Sequence, residues 1–423
     1  MVEPIRLLAK RLLAGPDLEP VLDAAILVEG SKIVALGPRA KLGEPADCVS
    51  IDLGSATLMA GMIDAHMHTF GVSSTGLHAL PFEREPVRAL TAAAELRELL
   101  HAGFTSARCL GSSVGPDLKR AIAAGFIEGP RLLAAGRFLS STSGTWDAMP
   151  VPLAEAAASG EIADGPDGFR TAVRQRVRDG ADFIKLGLSK GPGGDRYHSW
   201  GDDPARQATT MTVEEVRAAV DEAHRNGIKV SAHAIGDAAV NLALDGGVDV
   251  VEHGYGIAEE TRRRLIDTAT IVVTTISQLH FHRAAYDAFH YPAWERAVYE
   301  RHWMAMKRDF ERGLAAGVRF ALGTDLIGRP THPLKEAAME FIFATEWGMS
   351  TRAALQAGTA RGAEVLGLEA TTGIMAEGMT ADVIGLDGDP TADIAAVRRV
   401  SFVMKAGAVV RNSLPASGSM PQH

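Results

Sequence analysis

Between residues 59 and 360, short apolar runs alternate with longer amphipathic stretches, and this alternation limits the fold more than any other feature of the chain. The runs are LMAGMIDAH (58–66), FTSARCL (104–110), PRLLAAG (130–136), DFIKLGLS (182–189), IKVSAHA (228–234), DVVEHG (249–254), TIVVTTIS (270–277) and VRFALGTD (318–325). Helical patterns lie between them, among them EPVRALTAAAELRELLHAG (85–103) and TVEEVRAAVDEAHRNG (212–227). The second opens on Thr212 with Glu215 three residues on, a capping-box spacing, and stops at Gly227. Eight strand-like runs alternating with helices predict an α/β chain folded as a (β/α)8 TIM-like barrel rather than an open sheet. The two ends read differently. AAILVEGSKIVALGP (24–38) has the form of a hairpin, and ADVIGLD (381–387) and VSFVMKAGAVV (400–410) are β-rich runs broken by Gly. Neither end is a domain alone, so residues 1–58 and 361–423 are expected to pair as a small β-sandwich around a barrel at 59–360.

A chain of 423 residues has room for such a barrel and an appended domain. With 46 % hydrophobic and 22 % charged residues it is globular, which excludes wholesale disorder. Forty-three basic residues against 52 acidic ones leave a net charge of −9, an argument against a nucleic-acid groove or an anionic-membrane surface. Cys48 and Cys109 are too few for a disulfide framework or a four-thiolate zinc site. The N-terminal stretch has no signal-peptide pattern and no window approaches a transmembrane span, so a cytoplasmic enzyme is the expectation.

The chemistry gathers at the C-terminal ends of the proposed strands, the face on which barrel enzymes build their sites. His66 and His68 end the first strand, and residues two apart face the same side, so both can grip one ion. His233 ends the fifth strand, His253 the sixth and Asp325 the eighth. Lys185 sits in the apolar fourth strand, where an ammonium is costly unless paired with a carboxylate or converted by CO2 into a carbamate able to bridge two cations. Gly-x-Ser-x-Gly is absent and Cys109 lies in an apolar strand, which argues against covalent catalysis.

Taken together, MAGMIDAHMH, FIKLG, SAHAIGD, VEHG, LGTD and GMTADVIGLDGDP resemble, in order, the motifs of the amidohydrolase superfamily. The nearest resemblance is to the imidazolonepropionase-related group of Xaa-Pro dipeptidases, Arg/Lys carboxypeptidases and ochratoxin-type amidases. It implies two divalent ions, zinc by preference, bridged by carbamylated Lys185. His66, His68 and Asp325 would hold the buried ion, and His233 and His253 the more exposed one. A bridging hydroxide would attack the carbonyl, with Asp325 as the catalytic proton shuttle. The implied reaction is hydrolysis of an amide or peptide bond in an N-acyl amino acid, dipeptide or aromatic amide. A cyclic amide, carbamate or urea is the alternative substrate, and a metal-free scaffold the reading from another class. Deaminases are disfavoured, because their sites keep His-x-x-Glu where this chain has His233-Ala-Ile-Gly. Relatives are often homo-oligomers, up to octamers, and the same is expected here.

Departures from the family pattern point to the substrate. In FLSSTSGTWDAM (138–149), Thr145 and Trp146 stand where relatives have His-Gly, and Ile235 follows His233-Ala where Tyr or His is usual. These replacements predict an apolar or aromatic wall. Tyr197 and His198 after the fourth strand, and His280 in a loop after the seventh, are further candidates for substrate contact.

Overall fold

The computed structural model describes residues 3–43, 48–72, 83–147, 152–190 and 201–413. Strands β1 (Ile5–Ala14), β2 (Glu19–Glu29), β3 (Lys32–Pro38), β4 (Val49–Asp52) and β5 (Thr57–Ala60) open the chain. The middle carries β6 (Met62–Met67), β7 (Phe104–Cys109), β8 (Arg131–Ala134) and β9 (Phe183–Gly187). A two-residue pair, β10 (Ser189–Lys190) and β11 (Ala208–Thr209), precedes β12 (Lys229–Ala234), β13 (Val250–His253), β14 (Ile271–Val273) and β15 (Phe320–Ala321). β16 (Val383–Leu386), β17 (Val400–Lys405) and β18 (Ala408–Asn412) close it.

The two chain ends do meet, but in a single sheet of eight strands ordered β18-β17-β16-β5-β1-β2-β3, with β4 also on β1. Strand β1 makes these strands one hydrogen-bonded network. Its first half pairs in parallel with β4 (Ile5↔Val49 to Leu8↔Asp52), and its second half with β5 (Arg11↔Thr57, Leu12↔Leu58). One ten-residue strand thereby joins what would otherwise be separate sheets. The apolar run 58–66 is likewise two strands. It breaks at Gly61, whose N–H donates to the Asp382 carbonyl at 2.9 Å, and a Cβ there would stand 2.1 Å from the Thr105 side chain.

The middle of the chain forms two parallel ladders, β6-β7-β8 and β9-β12-β13-β14-β15, eight strands in all. At one seam Ala65 N–H donates to Leu322 O (3.1 Å) and His68 N–H to Leu326 O (2.9 Å). At the other, Leu139 N–H donates to Lys185 O and Gly187 N–H to Leu139 O, both at 2.9 Å. Helices return the chain between strands, including Glu85–His101, Gly165–Arg178, Val213–Arg225 and Asp237–Gly246. The Val213–Arg225 helix starts with the anticipated box: Thr212 N–H donates to the Glu215 carboxylate at 2.8 Å and Glu215 N–H to the Thr212 hydroxyl at 3.3 Å. Helix Ala360–Leu366 packs beneath the ladders, its Ala363, Val365 and Leu366 in one apolar cluster with Ile63, Val273 and Ala321. Among the described residues no helix is long and apolar enough to cross a membrane.

Candidate metal centre

His66 in β6 and His68, one residue past its end, both turn to Asp325, in keeping with the two-residue period of extended chain. Asp325 reaches them from just beyond β15. Gly323 permits the approach, since a Cβ there would come within 2.6 Å of His66 Cβ. Asp325 Oδ1 lies 2.9 Å from His68 Nε2 and 3.3 Å from His66 Nε2. The ligand atoms of these three buried side chains lie within 4.8 Å of one another, a group able to hold a metal ion. His253 ends β13 with its ring centroid 5.2 Å from that of His66 and 4.6 Å from that of His233. His253 and Asp325 both have positive φ, +71° and +54°, a conformation uncommon outside glycine.

Three of the histidines have Nδ1 engaged, which turns Nε2 towards the cluster. His66 Nδ1 donates to Glu252 Oε2 (2.6 Å) and His68 Nδ1 to the Gly111 carbonyl (3.0 Å), while His253 Nδ1 pairs with the Thr275 hydroxyl (2.9 Å). At this site the buried Lys185 Nζ and His233 Nε2, like Trp146 Nε1 beside them, have no hydrogen-bond partner among the described residues. Orphaned nitrogens beside a His-His-Asp group are the donor set that divalent cations require, so the residues fit such ions.

The electrostatics agree with that chemistry. Burial pushes the Lys185 ammonium down to about 8, against the pull of Glu252 and Asp325. Burial also takes His233 down to about 3 and His253 well below the usual imidazole range, leaving both neutral, the form that binds metals. Burial pushes Asp325 up, but His66 and His68 outweigh it and hold the carboxyl well below its ordinary range.

The other anticipated contacts are distributed unevenly. Trp146 is half-buried, stacked on Phe138 with centroids 3.9 Å apart and rings 14° from parallel, and its ring centroid lies 6.2 Å from that of His233. Phe138 in turn lies 6.0 Å from Phe70, which stacks on His68 at 4.6 Å, so an aromatic row runs from one ligand candidate to Trp146. Thr145 is buried and its hydroxyl donates to the Ser189 carbonyl at 2.8 Å, tying the loop to the end of the β9 segment. Ile235 is fully buried in the main core, with its N–H on the Ser189 hydroxyl at 3.0 Å. Both are as buried as His66 and His233. His280 lies in a helix, Ile276–Ala285, not in a loop. Residues two apart do not share a helix face, so His280 packs on Phe343 (4.3 Å) while His282, two residues on, stacks on Tyr299 (4.1 Å). Tyr197 and His198 lie outside the described residues. Sequence reasoning missed Glu252, Arg108 and Asp64. Arg108 and the Ser231 hydroxyl both donate to Glu252 Oε1, while Asp64 accepts from Thr324 Oγ1 (2.7 Å), Thr324 N–H (3.0 Å) and His66 N–H (3.1 Å).

Comparison with known proteins defines the class first. A Xaa-Pro dipeptidase with methionine in its active site superimposes with a TM-score of 0.85 at 27 % identity, covering 97 % of this chain and 100 % of that one. A prolidase complexed with N-methylphosphonate-L-proline gives 0.87 at 27 % identity, again over 97 % and 100 %. Ochratoxinase of Aspergillus niger is 31 % identical over 94 % of this chain and 84 % of its own length. The model of the amidohydrolase family matches residues 57–410, and the chain belongs to that family.

Proposed function

We propose that this protein is a metal-dependent hydrolase that cleaves the amide or peptide bond of an N-acyl amino acid, dipeptide or aromatic amide. The observation that carries the reading is the meeting of two partnerless buried nitrogens, on Lys185 and His233, with the His66–His68–Asp325 group. Family membership and the likeness to ochratoxinase and prolidases support the same bond. We read the two parallel ladders as one closed (β/α)8 barrel, a reading supported by the hydrogen bonds at both seams. His66, His68 and Asp325 would hold one divalent ion, zinc by preference, and His233 and His253 a second, with Lys185 bridging them as a carbamate. When bound, such ions supply Lewis acidity and make water acidic enough to ionise near neutral pH.

The chain's own groups do the rest. The Asp325 carboxylate, which lies against both His66 and His68, would accept the proton of the attacking water and return it to the departing amine nitrogen. Glu252, Gly111 and Thr275 hold the imidazoles in place through their Nδ1 atoms. Phe138 and Phe70 back the Trp146 ring, which offers a hydrophobic face to the acyl or amine part of the substrate. The homo-oligomer implied by the family resemblance is part of the same proposal.

The test is metal analysis of the purified protein with a panel of N-acyl amino acids, dipeptides and aromatic amides, assayed before and after chelation. Activity lost on chelation and restored by zinc, cobalt or manganese is expected. Undiminished amide hydrolysis by metal-free protein would overturn the reading.

A further inference from the structure

We propose that Glu252 and Arg108 form a buried charge pair that aims His66 at the metal centre, Glu252 acting as a positioning residue. This rests on the metal-dependent reading above. Glu252 is the β13 residue immediately before His253, yet its carboxylate serves a different strand. Oε2 receives His66 Nδ1–H at 2.6 Å, and Oε1 receives the Arg108 guanidinium and the Ser231 hydroxyl. Arg108 also donates Nε–H to the carbonyl of Ala65, at 2.7 Å, and its guanidinium lies 4.9 Å from the Phe183 ring centroid. The guanidinium therefore ties the carboxylate to the backbone just before the histidine that the carboxylate orients. All of these side chains are buried.

A buried ion pair is a poor device for stability alone, because desolvation offsets its attraction and apolar residues of equal volume do as well. Its directional content is what apolar residues lack. An anion behind Nδ1 requires the proton there, leaves the Nε2 lone pair free towards Asp325, and makes that nitrogen a stronger donor. His68 has a carbonyl in the same place and His253 a hydroxyl, so of these three only His66 is backed by a carboxylate.

The experiment compares Glu252→Gln and Glu252→Asp with the wild type. Far-UV circular dichroism and the melting of chelated protein report folding. Zinc titration against a chromophoric chelator reports affinity, and the visible spectrum of the cobalt-loaded protein reports ligand geometry. Gln removes the charge. Asp keeps it but is shorter by about 1.5 Å, one bond length, which withdraws the carboxylate from His66 Nδ1. Both variants should lose about 10- to 100-fold in zinc affinity and alter the cobalt spectrum. If Glu252→Gln does not fold, Glu252→Asp, which retains the buried negative charge, carries the test. A folded variant with wild-type zinc affinity and an unchanged cobalt spectrum overturns the inference, even if its metal-free stability has fallen. Wild-type protein that binds no zinc overturns the metal-dependent reading instead.

Discussion

Glu340→Ala is expected to destabilise the fold by about 2–6 kcal/mol, from the number of buried donors it strands. The Glu340 carboxylate is fully buried and accepts four hydrogen bonds: Thr274 hydroxyl 2.6 Å, Ile276 N–H 3.0 Å, Ser277 N–H 2.7 Å and Ser277 hydroxyl 2.6 Å. The two N–H groups belong to the first turn of helix Ile276–Ala285, where no earlier carbonyl is available to them. The hydroxyls can rotate to other acceptors; Thr274 already lies 3.4 Å from the Ala321 carbonyl. The two N–H groups cannot turn away, and each buried donor left unpaired costs about 1–3 kcal/mol. Chemical denaturation of chelated protein isolates this effect from metal linkage, provided the slopes agree between variants. Glu340→Gln keeps one acceptor oxygen and should fall between the wild type and Ala. A loss below about 1 kcal/mol in the Ala variant would refute the argument, because it would mean the stranded N–H groups had found other partners.

Three further outcomes are expected. Trp146→Ala should narrow the preference for an aromatic N-acyl amino acid over a small polar dipeptide, read as the ratio of kcat/KM values; equal losses on both substrates would rule out the aromatic wall. Asp325→Asn should lower turnover by about 10²- to 10⁴-fold, and retained turnover in metal-replete protein would refute the proton role. Burial raises the Glu95 carboxyl to about 7, while only one of its oxygens is engaged, by Arg329 N–H at 2.7 Å. Its folded pKa is above the ordinary value, so its stabilising contribution is complete below about 4.5 and is lost as pH rises through about 7. Glu95→Gln should therefore melt close to the wild type at pH 5 and above it at pH 8; a difference independent of pH would contradict the shift.

The sequence by itself determined the strand list and named the three side chains that the fold gathers into a group able to hold a metal ion. All eight apolar runs of the middle region contain ladder strands, because alternation of apolar strands with amphipathic helices is a local, periodic signal. His66 and His68 share a side because a strand repeats every two residues, and the Thr212–Glu215 box formed because capping is settled within one turn. Tertiary structure decided what depended on distance along the chain. Glu252 meets residues 144 and 186 positions away, and alternation on a strand would turn it from the side that its neighbour His253 faces. His253 has a positive φ at the strand end, and no local pattern announces such a bend. Thr145 and Ile235, 90 positions apart in the chain, are both tied to Ser189, a meeting that no local pattern announces. The single terminal sheet likewise came from the reach of β1, which pairs with two strands at once; register between distant segments is chosen by which apolar faces can be buried together, and that is a property of the packed chain.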